Sequence, residues 1–400
     1  METREALIAL NLIPGLGSVT IHRLLAAFES PEQIFRASPV ALKEILGRFG
    51  TEEVIGRILS GDSGTELSAE LRRTERAGVQ MTTLLDESYP GLLKSIPDPP
   101  PILYVKGTLL EEDEAAVAVV GTRRATPYGL NAARHFGRAL AQCGITVVSG
   151  LAEGIDGAAH EGALEAKGRT LAVLGHGLNF LFPLRHRKLA DRITESGALV
   201  SEFPMAAPGL KENFPRRNRV IAGLSLGVLV AEAPLKSGAL ITAREALEQG
   251  RDVFAVPGPI SSDRSRGTHQ LLKEGAKLVE DVRDILQELA PALQERLIRW
   301  TGHGACRGSP RLWAPPPGVD PPTAGHPRAT RGLLSERCVE GLSQEERKVY
   351  EAVPTGTGST AESISRRAVL NPGRLLSVLT ELEMRGLVRQ IPGQGYSRSS

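Results

Sequence analysis

Between residues 116 and 290, short apolar runs and amphipathic stretches alternate along the chain. The runs fall at 117–120, 145–148, 170–174, 198–202, 226–231 and 252–256, with a weaker one at 277–279. They are largely continuous rather than alternating, the mark of strands covered on both faces. Helical spacing fills the gaps near 128–142, 156–167, 186–196, 215–224, 238–249, 267–275 and 281–290. This order predicts an α/β domain over 116–295, a doubly wound parallel sheet with helices on both faces.

The flanks have other patterns. Residues 1–80 place Leu7, Leu10, Ile21, Leu24, Leu25 and Phe28 at helical spacing, so an N-terminal helical domain is expected. Ile13-Pro14-Gly15-Leu16-Gly17 forms a tight loop between two of its helices and resembles a helix–hairpin–helix. Such a loop holds one DNA phosphate on its backbone N–H groups, or serves as a protein contact; both readings stand. Residues 81–115 read as a connector with a proline run, Pro97 to Pro101, and one short strand at Ile102–Val105. A linker follows the sheet domain over 296–340; its stretch 301–337 holds seven prolines, six glycines and five arginines.

Residues 341–400 form an end module. Helix signals at 343–353 and 359–366 precede a third helix, capped by Asn371-Pro372 and ended by Gly386. That helix carries Leu375, Val378, Leu379 and Leu382 on one face. Strands at 387–391 and 395–398, joined by Pro392-Gly393, complete a winged helix-turn-helix. The polar side of the third helix, Arg374, Ser377, Glu381 and Arg385, mixes charges and suits a nonspecific or protein contact better than major-groove reading.

A net charge of only +2 means that any nucleic-acid binding depends on local patches. Cys143, Cys306 and Cys338 are scattered, which fits a reducing compartment. With no secretory signal and no apolar stretch long enough to span a bilayer, a cytoplasmic protein without membrane contact is expected.

The strand at 117–120 ends in Gly121-Thr122-Arg123-Arg124, and a helix begins near Tyr128. This is a nucleotide-binding type of entry without its G-x-G-x-x-G loop, and arginines stand where a dinucleotide pyrophosphate would lie. Guanidinium groups on an open turn suit the phosphates of a nucleic-acid backbone. In an open parallel sheet ligands bind at the carboxyl ends of the strands, and three further turns fall there. They are Ser149-Gly150 to Gly154 and Asp156, Glu232 to Ser237-Gly238, and Pro257-Gly258. Each is expected to present backbone N–H groups at a helix start.

Two basic clusters extend this edge: Arg185, His186, Arg187, Lys188 and Arg192, and Lys211, Arg216, Arg217 and Arg219 around Asn218. The first is a binding surface or a solvated helix face. The second favours binding, with Phe214 either stacking on a base or filling the core. Asp156 and His160 share a helix face at i, i+4; a dipole-favoured acid and a locally bonded imidazole explain them better than catalysis or metal binding. No third metal ligand and no nucleophile–base set stands out, so a non-enzymatic binder without cofactor or metal is expected.

The segments VAVVGTRRATPYG, VVSGLAEGIDGAAHEGAL, TLAVLGHGL, GALVSEFP, ENFPRRNRVIAGLS, VLVAEAPLKSGALITAREALEQGRDVFAVPG and LLKEGAKLV together resemble the DprA (Smf) family of bacterial DNA-processing proteins. The resemblance implies a Rossmann-like sheet that binds single-stranded DNA, flanked by an N-terminal helix–hairpin–helix or SAM-like domain and a C-terminal winged helix. It also implies loading of RecA onto that DNA during natural transformation, displacement of single-strand-binding protein, and homodimers through the Rossmann-like domain. Carried over residue by residue, it marks Arg123, then Ser149, Gly150, Gly154 and Asp156, then Arg217, Asn218 and Arg219. His176, Asn179 and Phe182-Pro183 depart from the family's Cys-Gly-Val/Leu-Asp and Tyr-Pro pattern, and Gly267-Thr268-His269 departs from Gly-x-Asn.

Two alternatives come from other classes. Ser237 to Glu245 resembles the P-G-G-x-G-T-x-x-E motif of lysine-decarboxylase-like nucleoside-monophosphate phosphoribohydrolases, with Glu245 as the acid; Ala239-Leu240 replaces the second glycine pair. A transcription regulator reading duplex DNA through the winged helix is the other.

Overall fold

A computed structural model describes residues 2–60, 63–180, 183–302, 344–354, 361–368, 370, 375, 378–379, 382, 388–391 and 395–398. The chain opens with helices α1 (Thr3–Leu12), α2 (Ser18–Ala27), α3 (Pro31–Ile34), α4 (Pro39–Leu46), α5 (Glu52–Leu59) and α6 (Ser63–Ala77). Strands β1 (Gln80–Thr83) and β2 (Ile102–Gly107) follow, separated by α7 (Gly91–Lys94). The alternating region then runs β3 (Ala116–Gly121), α8 (Pro127–Gln142), β4 (Thr146–Ser149), α9 (Ile155–Glu165), β5 (Thr170–Leu174), α10 (Arg187–Ser196) and β6 (Ala198–Ser201). It continues α11 (Asn213–Gly223), β7 (Gly227–Glu232), α12 (Gly238–Glu248), β8 (Asp252–Ala255), α13 (Arg266–Lys273), β9 (Lys277–Leu278) and α14 (Val282–Gly302).

These nine strands form one sheet in the order β1-β2-β6-β5-β4-β3-β7-β8-β9. Strands β3 to β9 are mutually parallel, and β4 to β7 are buried along their whole length. That is the pattern their continuous apolar runs require. The sheet is not wholly parallel, however: β1 and β2 pair antiparallel, and β2 pairs antiparallel with β6. The segment read as a connector therefore contributes two strands. Strand β1 escaped the pattern because it is an edge strand of sequence QMTT with only Thr83 fully buried.

One apolar core lies between the sheet and α11, α12 and α13, and a second between the sheet and α8, α9 and α14. The N-terminal helices make a third core, which closes on Ile102 and Tyr104 of β2 and on Met205 after β6. The helical domain is thus packed against the edge of the sheet. Within the alternating region the chain first builds outward from β3 through β4, β5 and β6, then crosses through α11 to place β7 on the other side of β3. Between β3 and β7 the connections leave in opposite directions, which opens a cleft beyond the strands' carboxyl ends.

The C-terminal unit is separate. Its helices Gln344–Ala352 and Ala361–Ala368 and the antiparallel pair Val388–Ile391 with Gly395–Arg398 surround a core. That core holds Val349, Ile364, Leu375, Val378, Leu379, Leu382 and Val388, so the four apolar positions assigned to the third helix are buried together. The polar residues Arg374, Ser377, Glu381 and Arg385, the turns Asn371-Pro372, Gly386 and Pro392-Gly393, and the linker from 303 to 337 lie outside the described residues.

Helices α8 and α9 cross in close contact because each carries a glycine at the crossing. A Cβ added at Gly137 would collide with the Ala159 carbonyl, and one at Gly162 with the Arg134 carbonyl. Alanine is the better helix former by about 1 kcal/mol, but overpacking costs about 1–3 kcal/mol. Steric cost should win: Gly137→Ala is expected to lower the urea midpoint, with a net loss of up to about 2 kcal/mol. An unchanged or raised midpoint would show that the helices separate freely.

Candidate functional site

The cleft at the β3–β7 switch contains a cavity of about 570 Å³. Its walls are the turn Gly121 to Arg124 after β3, Asp156 at the start of α9, Lys211, Phe214, Arg217 and Asn218 at the start of α11, and Lys236 to Thr242 after β7. A neighbouring cavity of about 260 Å³ shares Arg123, Arg124, Ala152, Phe214 and Arg217, and adds Gly150, Glu153, Gly175 and His176. Together they make a groove with Phe214 between its two halves. Arg123, Arg124, Lys211, Arg217 and Lys236 line it against two carboxyl groups, Asp156 and Glu153. Despite a near-neutral chain, the groove is cationic.

Arg123 and Arg124 are exposed, and among the described residues no carboxylate lies within ion-pair distance of either. The Arg123 guanidinium instead sits 5.1 Å from the centroid of the Phe214 ring. The turn that carries them is tightly constrained. A Cβ at Gly121 would lie 2.7 Å from the Glu232 carbonyl oxygen, and one at Gly154 (φ +83°) would lie 2.7 Å from the Arg123 carbonyl oxygen. The Thr122 N–H donates to the Glu232 carbonyl at 2.8 Å, and the Ile155 N–H donates to the Thr122 carbonyl at 3.3 Å.

Helix α8 does not offer the anion site expected at its start. Thr126 Oγ1 accepts from the Gly129 N–H at 3.2 Å, and Pro127 has no N–H. The buried Glu232 carboxylate accepts from the Thr126 N–H at 2.8 Å and from the Thr126 hydroxyl at 2.6 Å. An internal anion therefore occupies the place where a dinucleotide phosphate would meet the helix dipole. Sequence reasoning quoted Glu232 only as the first residue of a turn. It also passed over Lys236, a single cation two residues before the small-residue helix α12.

The remaining predicted residues divide by burial. Ser149 is fully buried and its hydroxyl donates to the Val119 carbonyl at 2.6 Å, so it braces β4 on β3. Gly150 leaves room for a buried pair: a Cβ there would be 2.6 Å from Arg217 Nη1 and 2.7 Å from Asp156 Oδ2. Arg217 donates from Nη1 to the Gly150 carbonyl at 2.9 Å and to the Val173 carbonyl, and from Nε to Asn218 Oδ1 at 3.3 Å. Burial brings its guanidinium down to about 10, still well above neutral. Burial raises the Asp156 carboxyl, with Arg217 opposing. Asn218 donates to the Gly238 carbonyl at 3.3 Å, and Ser237 caps α12 by accepting from the Ala239 N–H at 3.3 Å. Gly238 is exposed, with nothing within 4 Å of an added Cβ.

Arg219 has a different role from the DNA contact assigned to it. All five of its donor positions are occupied inside the protein. Nε donates to Asp98 (3.2 Å), Nη1 to Glu202 (2.7 Å) and the Arg216 carbonyl (3.3 Å), and Nη2 to Ser18 (3.0 Å) and Glu202 (2.9 Å). It joins α11 to β6 and to the first turn of α2. Arg216 is exposed, 5.6 Å from the Phe203 centroid, and points toward Gly17 of the hairpin rather than lining the groove. Arg185 pairs with Glu153 at 3.1 Å, while Lys188 is exposed on α10; neither lines the cavities.

His160 and Asp156 do not act on each other. His160 Nδ1 lies 2.6 Å from Thr170 Oγ1, and burial lowers the imidazole to about 3, so it is neutral. His176 is buried against its own neighbour's carbonyl at 3.0 Å, and His269 Nε2 lies 3.0 Å from the Gly258 carbonyl; Phe182 lies outside the described residues. Glu245 lies on α12 outside the lining of the cavity, which separates it from the pocket its proposed acid role needs. Among the described residues no group of three His, Cys, Asp or Glu is placed to hold a metal, and no helix is long and apolar enough to cross a membrane.

Comparisons with known proteins agree with this layout. A family model described as DNA recombination-mediator protein A matches residues 80–290, and one described as the DprA winged helix domain matches residues 335–394. A protein named Smf from Synechocystis sp. is 36% identical over 404 residues, covering 98% of this chain and 98% of that protein. A protein of the same name from Escherichia coli is 53% identical over 204 residues, which are 51% of this chain and 54% of that protein. The X-ray structure of DNA processing protein A from Streptococcus pneumoniae shares 36% identity at a TM-score of 0.63, covering 72% of this chain and 99% of that one.

Truncating Arg219 leaves Glu202 buried and uncompensated. Removing one partner of a buried ion pair costs about 3–5 kcal/mol. Arg219→Ala is therefore expected to lose stability on that scale in urea unfolding followed by circular dichroism. A loss below about 1 kcal/mol, typical of an exposed pair, would contradict this structural role.

Proposed function

The chain belongs to the DNA recombination-mediator protein A (DprA, Smf) family, and from that premise we propose that it binds single-stranded DNA along the groove at the β3–β7 switch. The observation that carries this reading is the pair of exposed guanidinium groups of Arg123 and Arg124, with no ion-pair partner among the described residues, beside a helix start already filled by Glu232. Such a site favours phosphates that pass across it over a phosphate that terminates in it. Phe214, inside the groove with Arg123 over its ring, gives an unpaired base a stacking surface. A duplex keeps its bases paired and cannot use that surface without opening.

The bound strand, in this reading, is incoming DNA in natural transformation, which the protein protects while it loads RecA and displaces single-strand-binding protein. It does so as a homodimer through the sheet domain and without catalysis. The family's description as a recombination mediator supports this part. The winged helix then serves a nonspecific or protein contact. The phosphoribohydrolase reading lacks support, because Glu245 does not reach the cavity.

Binding to a dT oligomer should exceed binding to a duplex of equal length. It should also weaken with salt, with a slope of about −0.7 per phosphate neutralised. Arg123→Ala is expected to weaken dT binding by about 10- to 100-fold, on the scale of one charged hydrogen-bonded contact, and to make the salt slope shallower by about 0.7. Fluorescence anisotropy at several salt concentrations reads all of these. Salt-independent binding, equal affinity for duplex, or an unaffected Arg123→Ala protein would count against the proposal.

A further inference from the structure

Residues 122–126 form a short arch whose two ends are held by one side chain and its own backbone. The arch begins where the Thr122 N–H donates to the Glu232 carbonyl at 2.8 Å. It ends where the Thr126 N–H and hydroxyl both donate to the Glu232 carboxylate, at 2.8 and 2.6 Å. Arg123 and Arg124 lie between these anchors and are exposed. Glu232 is 2% exposed, and its strand shifts register against β3 at Val120/Gly121 so that Gly121 pairs with Glu232 itself. Space around the carboxylate is reserved: a Cβ at Gly129 would lie 2.5 Å from Glu232 Oε2.

We propose that Glu232 is a positioning residue for the DNA strand, holding the arginine arch in its binding shape while touching no DNA itself. This rests on the single-strand reading above. The carboxylate acts against the groove's charge, since an anion beneath two guanidinium groups reduces their attraction for phosphate. Its benefit is order: with both ends fixed, Arg123 and Arg124 need not lose the freedom of a loose loop when the strand arrives. The two effects have opposite signs, and the proposal is that order outweighs charge.

The test is dT-oligomer binding by Glu232→Gln, which keeps the side chain's shape and removes its charge. Electrostatics alone predicts tighter binding. A merely structural role predicts a lower melting temperature with unchanged affinity in the folded protein. Positioning predicts about 10- to 100-fold weaker binding by folded protein, the scale of a lost charge-assisted hydrogen bond. It also predicts a salt slope shallower by about 0.7 or more as arginine–phosphate contacts are lost, and no further loss when Arg123→Ala/Arg124→Ala is the background. Thr126→Val, which removes the hydroxyl donor and keeps the charge, should weaken binding in the same way, and Thr126→Ser should restore it. This pair decides the matter if Glu232→Gln does not fold. Equal or tighter binding by Glu232→Gln, or Thr126→Val binding as wild type does, overturns the proposal. Failure of the wild-type protein to bind dT would overturn the single-strand reading instead.

Discussion

A buried carboxylate, Glu232, fills the start of the first helix after the central strand, at the edge of the switch-point cleft. In a doubly wound sheet the first helix after the central strand presents its positive end to a phosphate. Here Thr126 caps that end, Pro127 removes a donor, and Glu232 from the adjacent strand takes the anion's place. The cleft keeps its shape but loses its terminal phosphate site. The charge available to a ligand is moved outward to Arg123 and Arg124, on the rim of the turn.

Desolvation sorts the other charges. A guanidinium withdrawn from water must be matched by internal acceptors, and an exposed one remains free for a ligand. Arg219 is matched at every donor, and Arg217 is held by two backbone carbonyls, Asn218 and the nearby Asp156. The first makes a joint between the helical domain and the sheet. The second forms the floor of the groove, where its charge persists without a partner outside the protein. Among the described residues, Arg123, Arg124, Lys211 and Lys236 are the exposed cations that line the larger cavity. The helical domain is tied to α11 and the segment before it: Ser18 of α2 accepts from Arg219, and Glu70 of α6 accepts from the Met205 N–H at 2.6 Å in the segment leading to Lys211 and Phe214.

Much of this was legible in the residues, and what was not has physical reasons. The inner strands showed because both faces are covered, which forces apolar side chains at successive positions. Strand β1 did not, because an edge strand can be polar on its open side. The GTRR turn was readable as a strand-to-helix turn with two exposed arginines because both features are local. Arg216, Arg217 and Arg219 look alike in sequence, yet they face the hairpin, the groove floor and a buried joint. The partners of Arg219 lie 17, 121 and 201 residues away, and no local pattern reveals them. Glu232 was hidden for the same reason, since Thr126 is 106 residues distant.

The central claim is that a polymer strand, not a cofactor, occupies the groove at the β3–β7 switch. Photo-cross-linking of a bromouracil-substituted dT oligomer, followed by peptide mapping in the presence and absence of NAD and AMP, tests it directly. The account predicts cross-links on the peptides that carry Phe214 and the turn from Gly121 to Arg124, undiminished by either nucleotide. Cross-links confined to other surfaces, or a groove that NAD or AMP clears of DNA, would contradict it.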